Sequence, residues 1–278
     1  MTTATTAATT ATDASAVIPQ VKRSRAAWVL SDALVLTKRY VSHIVRQPDE
    51  IITAVMIPTT MMLLFRYMLG GGAVDVGAGA YVDFLVPGVL TVGVTLVAVS
   101  TTTGVFMDMQ EGFVDRLRSM RTAAVSVIVA HVVASVLRAL ISLTVLIGLA
   151  FVVGFRPSAG LLQWLGALAI LLLFAFAVAW ISVLFGQIAK SNAGASGMAL
   201  ILTFAPYSSN LFAPTETISP GLRTFVEHQP VTAVIDTVRA LLLDQPVGNS
   251  AWIAVAWWGG ITALVIPISA RKFRRRYS

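Results

Sequence analysis

Cysteine is absent from the 278-residue chain, which excludes a disulfide framework, a thiolate metal site and a cysteine nucleophile. Charge is scarce as well. Charged residues make up 12% of the chain against 56% hydrophobic, and the mean hydropathy is +0.81. A soluble domain carries about twice that share of charge, so the chain reads as an integral membrane protein. Histidine is limited to His43, His131 and His228, none of them in a paired ligand spacing, so no metal site is expected. The net charge of +7 sits beside apolar runs, a pattern of membrane orientation rather than of nucleic-acid binding. No phosphate-cradling loop is present. The nearest stretch, Gly186 to Ser191 (GQIAKS), lacks the glycine that such a loop places directly before its lysine. No Ser/His/Asp or paired-carboxylate constellation is visible either.

What is present is an all-α arrangement of long apolar runs. Residues 1–25 are a Thr/Ala-rich tail with a basic end, too polar to bury a core and without the basic start and apolar run of a secretory signal. Residues 27–47 alternate as an interfacial amphipathic helix: Leu30, Leu34, Val41 and Val45 line one face, and Trp28 suits the headgroup level. Six spans follow, at about 51–69, 84–106, 136–155, 161–188, 193–212 and 250–269, each near the ~20 residues a crossing needs. The apolar stretch from Ala123 to Phe155 is too long for one crossing, so His131 is expected on a helical extension beyond the membrane. A basic tail, 271–278, follows the single transmembrane domain at 26–270.

The basic residues check this topology. Lys22, Arg23, Arg25, Lys38, Arg39, Arg46, Arg116, Arg118, Arg121, Lys190 and the cluster Arg271 to Arg276 share one side, whereas Arg66, Arg156, Arg223 and Arg239 fall on the other. Positive charge marks the cytosolic side, so both termini are expected in the cytosol and the chain in the cytoplasmic membrane. Away from their boundaries the spans contain no Asp, Glu, Lys or His. A proton- or sodium-coupled carrier generally needs such groups or broken-helix sites.

Two amphipathic stretches interrupt the spans. Residues 107–121, MDMQEGFVDRLRSMR, read as a helix with Met109, Phe113, Leu117 and Met120 continuing a stripe from Phe106. Asp108, Glu111, Asp115, Arg116, Arg118 and Arg121 occupy its other side, suited either to a docking surface or to a solvated loop. Residues 230–243 form an outer helix opened by Pro230. Val231, Val234, Ile235, Val238, Leu241 and Leu242 are on one face, and Asp236 and Arg239 lie three apart, close enough to pair. It is too short to cross, which leaves a re-entrant or surface-lying helix, or an ordinary buried loop helix.

From about Trp28 onward the chain resembles the permease subunits of ABC type-2 exporters, in the daunorubicin-resistance branch. The resemblance rests on EGFVDRLRSMRTA after the second span, the long third helix, and QPVTAVIDTVRALL before the last, with Gln229 where asparagine is commoner. It implies an elbow role for 27–47 and a coupling-helix role for 107–121. By position, Glu111, Gly112, Asp115, Arg116, Arg118 and Arg121 would dock a separate cytosolic ATPase. Two permeases would pair above two such ATPases. No cofactor is expected in this chain, ATP and Mg being expected in the partner subunit, and no nucleic-acid partner is expected. Pro230, Val234, Asp236 and Arg239 mark the outer helix as a candidate gate. Uncharged spans suit a hydrophobic or amphipathic cargo such as a drug, a polyketide or a lipid. A passive channel or carrier would need a polar line, for which the spans supply only Ser, Thr, Gln163, Gln187 and Asn210. A glycan exporter would be expected to show a more aromatic and polar path.

Overall fold

Long apolar runs become long helices here. The computed structural model describes residues 49–68, 78–110 and 124–276. The elbow at 27–47, the N-terminal tail and residues 111–121 lie outside the described residues. Helix α1 spans Asp49–Tyr67, α2 Ala78–Gln110, α3 Ala124–Val153 and α4 Leu161–Ile188. Helix α5, Asn192–Phe204, is followed by 3-10 turns at Ala205–Ser208 and Thr215–Thr217. Helices α6 Pro220–His228, α7 Pro230–Leu242 and α8 Ser250–Arg276 complete the chain.

Four of these helices, α2, α3, α4 and α8, are long and apolar enough to cross a bilayer. Helix α1 is apolar but shorter, over Ile52–Tyr67. The most apolar core of α2 is 78% buried, against 33% for α3 and 22% for α8, so α2 is the mast on which the others pack. Its Tyr81, Leu85, Leu90 and Val94 join Leu143, Phe174 and Ile235 in the main apolar cluster. A Cβ on Gly186 of α4 would stand 2.6 Å from the Thr102 carbonyl oxygen and 2.7 Å from the Val105 Cβ of α2. Only glycine permits that crossing without a shift. At Gly93 of α2 the same construction runs into the Leu146 side chain of α3.

Three expected boundaries are corrected. The third span stops at Val153 rather than Phe155, because Gly154 turns left-handed (φ 109°). The amide of Phe155 then reaches the Ala150 carbonyl at 2.9 Å and that of Gly154 reaches Phe151 at 3.2 Å. This is the paired Schellman closure, with Phe155 turned into the core as its apolar anchor. The fifth span is not one helix over 193–212: α5 ends at Phe204 and the chain turns at Ala205–Ser208. Pro206 removes an amide and crowds the preceding turn, and Tyr, Ser, Ser and Asn come after it. Helix α8, expected over 250–269, does not give way to a separate tail at 271 but runs unbroken to Arg276. In the turn after α3 the Arg156 amide donates to Asp83 Oδ1 of α2 at 2.9 Å.

Candidate functional site

The outer helix is tied to three other elements. Pro230 opens α7, and its carbonyl accepts from Trp258 Nε1 of α8 at 3.0 Å. Just before it, Gln229 Nε2 donates to the Ala205 carbonyl and the Ser208 hydroxyl, both at 2.8 Å. The start of α7 is therefore stitched to the break in the fifth span. The sequence expectation of one apolar face understates the burial. Thr232, Ala233, Thr237 and Ala240 are enclosed along with Val231, Val234, Ile235, Val238 and Leu242. A surface-lying helix is excluded by that all-round burial, and α7 instead packs between α2, α4 and α8. It ends at Leu242, with Leu243 as cap. Asp244 takes the left-handed turn (φ 52°), and Gln245 N–H closes on the Ala240 carbonyl at 2.8 Å.

Arg239 is the centre of the contacts at this end of the bundle. Its Nε donates to the Phe84 carbonyl of α2 at 3.1 Å, and its guanidinium lies 3.8 Å from the centroid of the Phe84 ring. Nη1 donates to Asp236 Oδ1 at 2.9 Å, and Nη2 to the Asn210 carbonyl at 3.3 Å. Asn210 Nδ2 completes the loop by donating to the same Asp236 oxygen at 2.6 Å. A guanidinium fork can serve α2, the irregular 209–214 stretch and α7 at once, which an ammonium cannot. The Arg239 side chain is 10% exposed and that of Asp236 40%, so the arginine is the enclosed member and the carboxylate faces outward. Asp236 and Arg239 border a polar cavity of about 420 Å³, with Asn210 and Glu216 also on its wall.

Helix α6 covers part of this end with Leu222 and Phe225 outward. Its exposed Arg223 donates to Glu227 at 2.6 Å. That hydrogen bond, with the glutamate's charge, raises the arginine above its ordinary value.

At the opposite end, α2 and α3 converge on the segment that joins them. Asp108 Oδ2 and His131 Nε2 are 2.9 Å apart, with the histidine side chain 4% exposed and the aspartate 15%. Asp108 does not belong to a separate helix starting at 107, because residues 107–110 are the last turn of α2. It turns toward His131 of α3, whereas Phe106 and Met109 are buried as the stripe predicts. Glu111, Gly112, Asp115, Arg116, Arg118 and Arg121 lie outside the described residues.

The sequence reading found Pro230, Val234, Asp236 and Arg239, and the structure places all four on α7. It missed Phe84, Asn210 and Gln229 as their partners and the Asp108–His131 contact. A lone asparagine in an apolar run was the available signal for Asn210. Nothing local marks a carbonyl on Phe84.

A bundle of long apolar helices, with a short helix folded back among their ends on one side and a histidine–aspartate contact at the other, fits a multi-pass membrane protein. The chain belongs to the ABC-2 type transporter family, which it matches over residues 32–243, ending at the cap of α7. It is similar to the daunorubicin resistance ABC transporter permease protein DrrB1 of Streptomyces coeruleorubidus, with 26% identity over 230 residues, 82% of this chain and 81% of that protein. It is also similar to the probable doxorubicin resistance ABC transporter permease protein DrrC of Mycobacterium tuberculosis (strain ATCC 25618 / H37Rv). There the identity is 23% over 250 residues, 88% of this chain and 89% of that protein.

Proposed function

We propose that the chain is the permease subunit of an ABC exporter that moves a hydrophobic or amphipathic compound out through the cytoplasmic membrane. A separate cytosolic subunit hydrolyses the ATP, with two copies of each subunit in the complex. The observation that carries this reading is the family match across α1 to α7, the region that holds both ends of the pathway. Relatives named for daunorubicin and doxorubicin resistance support a polycyclic, amphipathic drug as cargo. An apolar cavity of about 310 Å³ walled by Leu143, Ile147, Leu165 and Leu168 is compatible with such a compound.

The mechanical reading starts from helix length. Helix α2 has 33 residues and α3 has 30, about 50 and 45 Å at 1.5 Å per residue. Both outrun a hydrocarbon core of about 30 Å, and they are clasped by Asp108 and His131 next to residues 111–121. Force applied to that segment by a docked ATPase would act on two rigid levers rather than on a slack loop. At the outer end one lever, α2, meets α7 through Phe84 and Arg239, which makes α7 the candidate gate.

Reconstitution tests this directly. Proteoliposomes holding the permease and its ATPase are expected to move daunorubicin only with ATP. Arg118→Glu and Glu111→Lys should each lower that flux at least about tenfold while the permease stays inserted, because charge reversal at a desolvated contact costs far more than on a free loop. Full flux without nucleotide would favour a passive channel. Normal flux and normal ATPase co-purification in both variants would reduce the segment to a linker.

Six crossings with both termini cytosolic remain the proposed topology. Helix α5 has 13 residues, about 20 Å, so its crossing is completed by the irregular stretch to 212. Irregular backbone at such depth is tolerated where protein encloses it, and Ser209, Asn210 and Leu211 are buried. Because the chain lacks cysteine, single cysteines report unambiguously. Those at Asp75 and Thr217 should react with an impermeant thiol reagent from outside, and those at Arg118 and Arg274 should not. Labelling of Arg118 from outside would overturn the orientation.

A further inference from the structure

At the ends of α4 and α8, on the side where α2 also ends, a cavity of about 880 Å³ opens beside Lys190, Arg271 and Lys272. None of these three makes an ion pair or side-chain hydrogen bond with a described residue, and no carboxylate is among the described residues lining the cavity. Gln187, 2% exposed, is also on the wall. Its Nε2 donates to the buried Ser269 hydroxyl at 2.7 Å, and its Oε1 has no hydrogen-bond partner. The walls then turn apolar with Ile188, 37% exposed, and Ile268, 49% exposed.

The spacing on α8 continues that change. Leu264, 67% exposed, and Ile268 stand four residues apart, and Arg271 and Lys272 follow Ile268 by three and four. These four positions share one helix face. It is greasy toward the membrane interior and doubly cationic at its end. Part of the basic charge answers the negative C-terminal ends of the helices, but each such end amounts to only about half a charge. Three full charges exceed what the nearby α2 and α4 ends require.

We propose that this place is a binding site for an anionic phospholipid of the inner leaflet, its phosphate held by Lys190, Arg271 and Lys272 and an acyl chain laid along Ile268 and Leu264. Basic pockets between spans on the cytosolic side have the chemistry to hold such headgroups. The exposed aliphatic stripe argues for a diacyl lipid over free phosphate, since it leads straight from the cations into the hydrocarbon. The proposal rests on the orientation given above only for the leaflet that supplies the lipid.

The experiment measures lipid retained by the full-length permease after extraction from mixed phosphatidylglycerol and phosphatidylcholine vesicles, read by native mass spectrometry without nucleotide or ATPase. Failure of transport and failure of this site are therefore separable. Wild type should retain phosphatidylglycerol preferentially. The triple variant Lys190→Gln/Arg271→Gln/Lys272→Gln should lose that preference by up to a hundredfold, taking about fivefold per basic residue near an anionic surface. The charge-preserving triple Lys190→Arg/Arg271→Lys/Lys272→Arg should keep it, which controls for folding. Equal retention of both lipids by wild type, or an unchanged preference in the glutamine variant, overturns the proposal. So does displacement of the lipid by millimolar inorganic phosphate, which would mark a free-phosphate site. Loss of ATPase co-purification in the glutamine variant with lipid retention intact would assign the cations to protein docking, and that too overturns it.

Discussion

Val234→Asp should leave little folded permease in the membrane. Val234 is fully buried, in the same apolar cluster as Leu85, Phe174 and Trp258. A carboxylate there must either lose its hydration, at a cost of several kcal/mol, or take up a proton. Neither choice offers it a partner, because α7 is enclosed on nearly every side. From the apolar face alone one would expect this substitution to disturb gating while the permease still assembled. All-round burial moves the expected effect to folding. Val234→Ala is the milder comparison. It removes two methyl groups for roughly 1–3 kcal/mol and should lower thermal stability while leaving an assembled protein. The measurement is the amount of monodisperse permease extracted from membranes and its melting temperature. Wild-type yield and melting for Val234→Asp would show that α7 is loosely packed and refute its place in the core.

The contrast between those two expectations shows what the sequence could and could not disclose. Apolar runs fixed the main helices, since little else stabilises a run like residues 161–188, and α4 occupies that range. Pro230 marked the start of α7 for the local reason that its missing amide is harmless at a first turn. The Asp236–Arg239 pair was legible because both lie on one helix, three residues apart. Arg239's other partners were not. Phe84 is 155 positions away and Asn210 is 29, and each contributes a backbone carbonyl that any residue would supply. Proline was an equally weak guide to the broken span. Pro58, Pro87 and Pro267 sit inside continuous helices, whereas Pro206 ends one. The difference lies in the residues on its C-terminal side, since Tyr, Ser, Ser and Asn give the chain after Pro206 no strong reason to resume a helix. The Asp108–His131 contact was hidden in the same way, by a separation of 23 positions.

Arg239→Met should produce the other large effect, and its consequences can be divided between stability and transport. Methionine keeps most of the volume but leaves the carbonyls of Phe84 and Asn210 without the donor they have here. Removing one partner of a buried pair costs about 3–5 kcal/mol, but Asp236 is 40% exposed and water will screen part of that. A loss of about 2–3 kcal/mol is expected, because the orphaned carbonyls contribute more than the ion pair. Arg239→Lys should recover only part of it, since an ammonium cannot serve both carbonyls and Asp236 from one plane. Asp236→Asn should be mild, as the amide oxygen can still accept from Arg239. The double variant Arg239→Met/Asp236→Leu separates the two roles. Replacing both members by apolar side chains removes the unpaired carboxylate and so recovers the smaller, ion-pair part of the loss, but it leaves the carbonyls of Phe84 and Asn210 without a donor and still uncouples α7 from α2 and from the 209–214 stretch. If α7 is the gate, this double variant should melt no lower than Arg239→Met and still show deranged drug-dependent ATP turnover in the reconstituted complex. Normal coupling in the double variant, at whatever stability, would make Arg239 a structural strut and move the gate elsewhere.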